Sequence, residues 1–184
     1  RKKMTNNLDV KDIMTRSRIQ MYQKSPFFAY LVLNLNFKEF TKEEKKAWGE
    51  NSTMAVDNFG NLYYNPDWIK GLTENQVNGV LVHETLHLAF QHLIREKNRE
   101  HSVWNIAIDL NVNDILINNG FELPKGLIPQ NHEITLEGTK ITIKDIDKKS
   151  AEFIYDEIYS KIPKQKIKEL SQGGFDEHRT SDTK

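Results

Sequence analysis

The sequence contains no cysteine, which excludes disulfide bonds and thiolate metal sites. Its apolar runs all fall short of the roughly 20 residues that a membrane-spanning helix needs. No signal-peptide core follows the basic segment Arg1-Lys2-Lys3. We therefore expect a protein that works in the cytoplasm and has no membrane partner.

An excess of charge of either sign is also absent, because 26 lysine and arginine residues balance 26 aspartate and glutamate residues. Nucleic-acid-binding proteins usually carry a strongly basic face, so we expect no nucleic-acid partner. The 184 residues suffice for one sizeable core, and we predict a single domain over residues 1–170. A polar tail over residues 171–184, which includes Asp176 and His178, is predicted to be flexible and solvated.

One segment, His83-Glu84-Thr85-Leu86-His87, specifies chemistry. On a helix its two histidines differ by only about 40° around the axis, so both rings can share one metal ion. The carboxylate of Glu84 can reach a water on that metal without being a ligand. This pattern is typical of zinc-dependent hydrolases in which the glutamate is the general base.

The helix that carries this segment has a clear start. Thr73 and Gln76 are expected to form a capping box, and apolar positions then continue to Ile94 before a charged run. We therefore predict one helix that passes through His92 without a break. On such a helix His92 lies roughly 180° from His83, which favours a surface or packing role over a ligand role.

A catalytic zinc usually has three protein ligands and one water, so a third ligand is needed. The next predicted helix runs from about residue 102 to 118, begins at Ser102 and ends before Gly120. It places Asn105, Asp109 and Asn113 at four-residue steps along one face. A carboxylate between two amides favours Asp109 as the third ligand, with the asparagines orienting the ligands. The alternative is an ordinary solvated helix face.

Further motifs accompany the His-Glu-x-x-His segment along the chain. They are Thr53-Met54-Ala55-Val56-Asp57, Leu62-Tyr63-Tyr64-Asn65-Pro66, His92, Trp104-Asn105-x-Ala107-x-Asp109-x-x-x-Asn113, Leu123-Pro124-x-Gly126 and Ser150-Ala151-Glu152-x-Ile154-Tyr155. Through these motifs the chain resembles the N-terminal domain of a family of bacterial and phage metallopeptidases. In that family the domain is often joined to a von Willebrand factor A-like domain.

The resemblance implies an α+β, zincin-like fold, mainly helical, with a small sheet or hairpin beside the metal helix. It implies one zinc ion held by His83, His87 and Asp109, with Glu84 as the base and a peptide or protein as substrate. It also suggests an AAA+ ATPase of the MoxR type as a partner. The von Willebrand factor A-like domain is missing from this sequence, so we expect either a short phage-type version or a truncated chain.

The rest of the pattern predicts short helices, strands and turns in keeping with an α+β fold. The predicted segments are helices over residues 7–24, 27–35 and 150–162, strands over 36–40, 53–56 and 62–64, a loop over 123–129 and β-like alternation over 133–143. Over residues 27–35 periodicity alone does not decide between a buried helix and a strand, and Pro26 at a first helical turn favours the helix. The strands over 53–56 and 62–64 are predicted to form a hairpin.

This hairpin is also a candidate substrate-binding element. In zincin folds a strand near the metal helix commonly pairs with the extended substrate backbone. Tyr63 and Tyr64 point to opposite faces of such a strand, so one of them can line a substrate site while the other packs. The alternative is that both pack in the sheet. At the level of function, the rivals to a zinc peptidase are a non-catalytic, metal-stabilised interaction module and a hydrolase of non-peptide amides.

Overall fold

The computed structural model describes residues 9–48, 53–124, 126–136, 139–163 and 166–167. Its secondary structure is mixed α+β, with helices predominating over two small sheets, as the sequence predicts. The chain divides into two compact units, with the boundary between Leu93 and Ile94. Among the described residues, no helix combines the length and the apolar character needed to cross a membrane. The predicted single domain stays a prediction, and the predicted tail lies outside the described residues.

The first unit is built on three packed helices. Helix α1 spans Val10–Lys24, α2 spans Pro26–Leu33, and α5 spans Glu74–Ala89. Each of the three packs against the other two. Both α1 and α2 are predicted from the sequence, and Pro26 occupies the first turn of α2, where its missing N–H costs nothing. Two shorter helices that the sequence pattern does not predict are α3, Lys42–Trp48, and α4, Pro66–Lys70.

A three-stranded sheet completes this unit. Strands β1 (Asn36–Glu39), β2 (Met54–Val56) and β3 (Asn61–Tyr64) lie in the order β1-β3-β2. The predicted hairpin is β2 and β3, which pair antiparallel, whereas β1 pairs parallel with β3. In the turn between β2 and β3, Asp57 Oδ1 accepts hydrogen bonds from two backbone N–H groups at 2.9 Å, and Gly60 has a positive φ of 79°. Strand β2 packs on α5, so the hairpin lies beside the histidine-bearing helix as predicted.

Helix α5 begins as predicted but ends early. Thr73 Oγ1 accepts from the N–H of Gln76 at 3.2 Å, and Gln76 Oε1 accepts from the N–H of Thr73 at 3.0 Å, which confirms the capping box. The helix ends at Ala89, so the predicted continuation to Ile94 is wrong.

The break lies at Gln91, which adopts a left-handed backbone with φ of 55°. A residue in this conformation cannot continue a right-handed helix, so the chain changes direction and a short helix α6 starts at His92 and ends at Arg95. The sequence does not predict this turn, because left-handed residues at helix ends are usually glycine or asparagine, and residue 91 is glutamine. The apolar pattern also runs on past the break.

The second unit is centred on α7, His101–Asn118, and α8, Ala151–Lys161, which pack together. Helix α7 is capped by the side chain of Glu100, which accepts from the N–H of Val103 at 2.8 Å, rather than by Ser102 as predicted. Gly120, with φ of 78°, follows its end as predicted.

Smaller elements complete the second unit. Strands β4, Ile134–Thr135, and β5, Thr142–Ile143, form a two-stranded antiparallel sheet within the predicted β-like segment. A 3₁₀ helix over Ile146–Lys148 follows and packs against α7. The predicted loop over residues 123–129 contains no helix or strand in its described part.

An ion pair connects the last residue of α6 to the first turn of α8. Arg95 Nε donates to Glu152 Oε1 at 2.9 Å, and Arg95 Nη2 donates to Glu152 Oε2 at 2.6 Å, a two-pronged geometry. The hydrogen bonds from Arg95 hold the pKa of Glu152 at about 2, well below its usual 4.5. Because the folded-state pKa is lowered, the pair stabilises the fold above about pH 4.5, and this stabilisation is lost as the pH falls towards 2.

We expect Glu152→Gln to lower the free energy of unfolding by about 1–2 kcal/mol at neutral pH. The value is modest because the two side chains are 33% and 30% exposed. The difference in the free energy of unfolding between wild type and variant should shrink as the pH falls from about 4.5 towards 2. Urea titrations at a series of pH values measure this difference. Glu133→Gln is the matched control, since its pair with Lys144 is more exposed and should matter little at any pH. A difference that is the same at every pH would assign the effect to packing instead of charge.

Candidate metal centre

His83 and His87 lie side by side on α5, as their spacing predicts. Their Nε2 atoms are 3.0 Å apart, and the side chains are 5% and 0% exposed. Two nitrogens bound to one tetrahedral zinc at the usual Zn–N distance are separated by roughly 3.3 Å. The two rings therefore need to part by only a few tenths of an ångström to share an ion. The histidine pair fits a metal of this kind.

Glu84 follows His83 on the same helix and is completely buried. Removing an ionised carboxylate from water costs free energy unless a positive charge or hydrogen bonds compensate for it. A cation bound by the neighbouring histidines would supply such compensation.

Asp109 lies on α7 and is 4% exposed, and Asn113, one turn further on, is 3% exposed. The alternative of a solvated helix face is therefore wrong for these two residues. Among the described residues, His83, His87 and Asp109 form a buried group that can hold a metal ion. Two imidazoles and one carboxylate are the ligand types that catalytic zinc sites use.

The two asparagines predicted to orient the ligands have different partners. Asn113 Nδ2 donates to the backbone carbonyl of Leu127 at 2.9 Å, which holds the loop after α7 against that helix. Asn105 Nδ2 lies 3.2 Å from His101 Nε2. Asn105 Oδ1 is buried and accepts no hydrogen bond from the described part of the chain. Its amide oxygen is thus available to a ligand, and the orienting role of both asparagines stays a prediction.

His101 extends this contact towards the surface of the second unit. Its Nδ1 lies 2.9 Å from Glu96 Oε1, so Glu96, His101 and Asn105 form a hydrogen-bonded row leading to the face of α7 that carries Asp109. The sequence analysis missed this row. The signal was present, because His101 precedes Asn105 by one helical turn.

Tyr63 and Tyr64 lie on β3, the central strand of its sheet. Tyr64 is buried, and the ring of Tyr63 stacks on Phe40 with centroids 5.7 Å apart. Burial, and after it the negative charge of Asp57, raises the pKa of Tyr63 above its usual 10.0. Strand β3 pairs with β1 on one side and with β2 on the other, so both of its backbone edges are occupied. A role of the tyrosine side chains in substrate binding stays a prediction.

His92 is the residue whose position the sequence analysis predicts wrongly. It is fully buried, and its Nδ1 lies 3.0 Å from His87 Nδ1. It does not face away from the metal helix, because α5 ends at Ala89 and the left-handed Gln91 redirects the chain. The tail residues Asp176 and His178 lie outside the described residues.

Two comparisons with known proteins found matches to this chain. A family model described as "Putative metallopeptidase domain" matches residues 11–184. An uncharacterized protein of Thermotoga maritima is 24% identical over 109 residues, which cover 57% of this chain and 26% of that protein. The match thus spans about a quarter of the relative's length. No solved structure matches the chain.

Proposed function

Since the chain belongs to the putative metallopeptidase domain family, we propose that it is a zinc-dependent peptidase with a zincin-like fold. In this proposal His83, His87 and Asp109 hold one zinc ion, and Glu84 is the general base. The observation that carries it is the buried pair of His83 and His87 Nε2 atoms, 3.0 Å apart on one helix, with Glu84 next to His83 in the sequence.

The choice of zinc rests on the donor atoms. Two imidazole nitrogens and one carboxylate oxygen leave one position of a tetrahedral ion for water or substrate. An all-oxygen site would favour magnesium or calcium, and a thiolate site would need the cysteine that this chain lacks. The set is therefore suited to catalysis with an imidazole-binding transition metal, of which zinc is the usual choice for peptide hydrolysis.

Bound zinc would lower the pKa of a coordinated water towards about 7 and polarise the scissile carbonyl. The protein's own part in the reaction falls to Glu84. Its carboxylate takes the proton from the attacking water and passes it to the nitrogen of the leaving amine. Because Glu84 is fully buried, cleavage also requires a rearrangement that lets substrate reach it.

The same burial supports a second candidate function. A metal enclosed by His83, His87 and Asp109 with no access for substrate would stabilise the fold, and the protein would then act by binding a partner. An AAA+ ATPase is the partner that we propose in that case. This module would bind zinc but cleave nothing.

The experiment that separates the two candidates combines metal analysis with digestion of a peptide library. Purified protein is expected to contain about one zinc per chain, measured by mass spectrometry of the metal. Peptide cleavage should stop when zinc is removed with a chelator and return when zinc is restored. Zinc binding without cleavage of any library peptide would favour the structural module. Absence of zinc binding would reject both.

Asp109→Ala tests the third ligand. We expect its zinc affinity to fall by more than the roughly 10–100-fold that loss of a ligand-orienting residue costs, because a metal bond is removed. Competition with a chromogenic chelator measures the affinity. Asp114→Asn is the matched control, since Asp114 is also a buried aspartate on α7 but pairs with His132 at 2.8 Å. Equal affinity of wild type and Asp109→Ala would remove Asp109 from the metal site.

A further inference from the structure

His92 occupies a position from which it can control the proton on His87. We propose that His92 Nδ1 accepts a hydrogen bond from His87 Nδ1–H and so keeps His87 Nε2 unprotonated and available to a metal. In this view His92 is a positioning residue that acts through His87. The inference rests on the proposed function, because it takes His87 as a metal ligand.

The two nitrogens of His87 have different neighbours. Nε2 lies 3.0 Å from His83 Nε2, and Nδ1 lies 3.0 Å from His92 Nδ1. A neutral imidazole carries one N–H, and its other nitrogen is an acceptor. If Nε2 is to bind a metal, the proton of His87 must be on Nδ1. The Nδ1 of His92 must then be the acceptor, with the proton of His92 on its Nε2.

The same distances argue against His92 as a ligand of that ion. The metal that His83 and His87 would share lies at the Nε2 edge of His87, where the two Nε2 atoms meet. His92 Nδ1 approaches the Nδ1 edge of the same ring. A single ion cannot bond to His87 Nε2 and occupy the space between the two Nδ1 atoms. His92 therefore contacts His87 at the edge of the ring opposite the proposed metal position.

The backbone fixes His92 in this place. The left-handed Gln91 ends the run of α5, and His92 begins α6 immediately afterwards. Its ring is fully buried and lies 5.5 Å from the ring of Phe90. Metal-bound histidines usually donate their second N–H to a carboxylate, a backbone carbonyl or water, and this donation sets their tautomer. Here a second, neutral imidazole is the acceptor.

Two variants of matched size separate hydrogen bonding from packing. His92→Leu removes the acceptor and keeps an apolar side chain of similar bulk, whereas His92→Gln supplies an amide oxygen that can accept from His87 Nδ1–H. Zinc affinity is measured by chelator competition. The ring tautomer of His87 is measured in the metal-free protein by ¹⁵N NMR of the histidine side chains.

We expect the metal-free wild type to hold His87 in the Nδ1–H form and His92 in the Nε2–H form. His92→Leu should give a mixture of His87 tautomers and a zinc affinity about 10–100-fold lower, and His92→Gln should restore most of both. A predominant Nε2–H form of His87 in wild type would overturn the inference, even if the leucine variant does not fold. So would equal losses of affinity in both variants with an unchanged tautomer, which would indicate packing alone.

The readouts also separate this inference from the proposed function. Complete loss of zinc in a His92→Leu variant that still folds, as for a missing ligand, would overturn the positioning role and make His92 a ligand. If wild type binds no zinc, the proposed function fails, and the metal-free tautomer still decides whether His92 holds the proton of His87 on Nδ1.

Discussion

Glu84→Gln is expected to retain zinc, and its rate of peptide cleavage is expected to fall by at least about 10²–10⁴-fold. The amide has almost the shape of the carboxylate but cannot accept a proton from water. Zinc should remain because Glu84 contributes no metal bond in the proposed site. The measurement is turnover of one library-derived peptide by the zinc-loaded wild type and variant, prepared side by side.

Glu74→Gln provides the matched control. Glu74 lies in the first turn of the same helix, away from the histidines, and its replacement should leave both zinc and turnover unchanged. Equal cleavage by wild type and Glu84→Gln would point to a contaminating protease and remove the catalytic assignment.

The same variant also serves as its own folding control. Glutamine is nearly isosteric with glutamate, so it fits the fully buried position of Glu84. Metal-free Glu84→Gln should therefore unfold at about the same denaturant concentration as metal-free wild type. A marked loss of stability would show that the carboxylate forms hydrogen bonds that glutamine cannot reproduce.

His83→Ala and His87→Ala are each expected to reduce bound zinc from about one per chain to almost none. Each removes one of the two imidazoles whose Nε2 atoms lie 3.0 Å apart, and a single imidazole with one carboxylate makes a weak site. A second measurement follows from linkage. Zinc at about 100 times its dissociation constant should raise the free energy of unfolding of wild type by about 2.7 kcal/mol and leave that of either variant unchanged.

His132→Ala is the control for these two variants. His132 bonds to Asp114 in the second unit and belongs to no proposed ligand set, so zinc binding should persist. Full zinc occupancy in either His83→Ala or His87→Ala would remove that histidine from the site.

Features set by neighbours in the sequence are those that could be predicted. The capping box of Thr73 and Gln76, the shared direction of His83 and His87, and the end of α7 before Gly120 each follow from residues within one or two helical turns. The burial of Asp109 could be inferred from its place on a helix face with apolar flanks.

Features that depend on distant contacts or on rare backbone conformations could not be predicted. The central position of β3 requires its pairing with β1, more than twenty residues earlier in the chain. The end of α5 depends on Gln91, a residue type that seldom adopts a left-handed conformation, which costs about 1–2 kcal/mol and leaves no compositional trace. The contact between His87 and His92 follows from that turn, so it escaped prediction as well.

The turn at Gln91 also affects how chains of this kind should be recognised in genomes. The five-residue interval from His87 to His92 is measured across a helix end, where one inserted or deleted residue would carry His92 away from His87. Such a change would leave His83-Glu84-Thr85-Leu86-His87 intact. A search for that motif alone would therefore return chains that lack this contact together with chains that have it, whereas a pattern that includes the interval would separate the two groups.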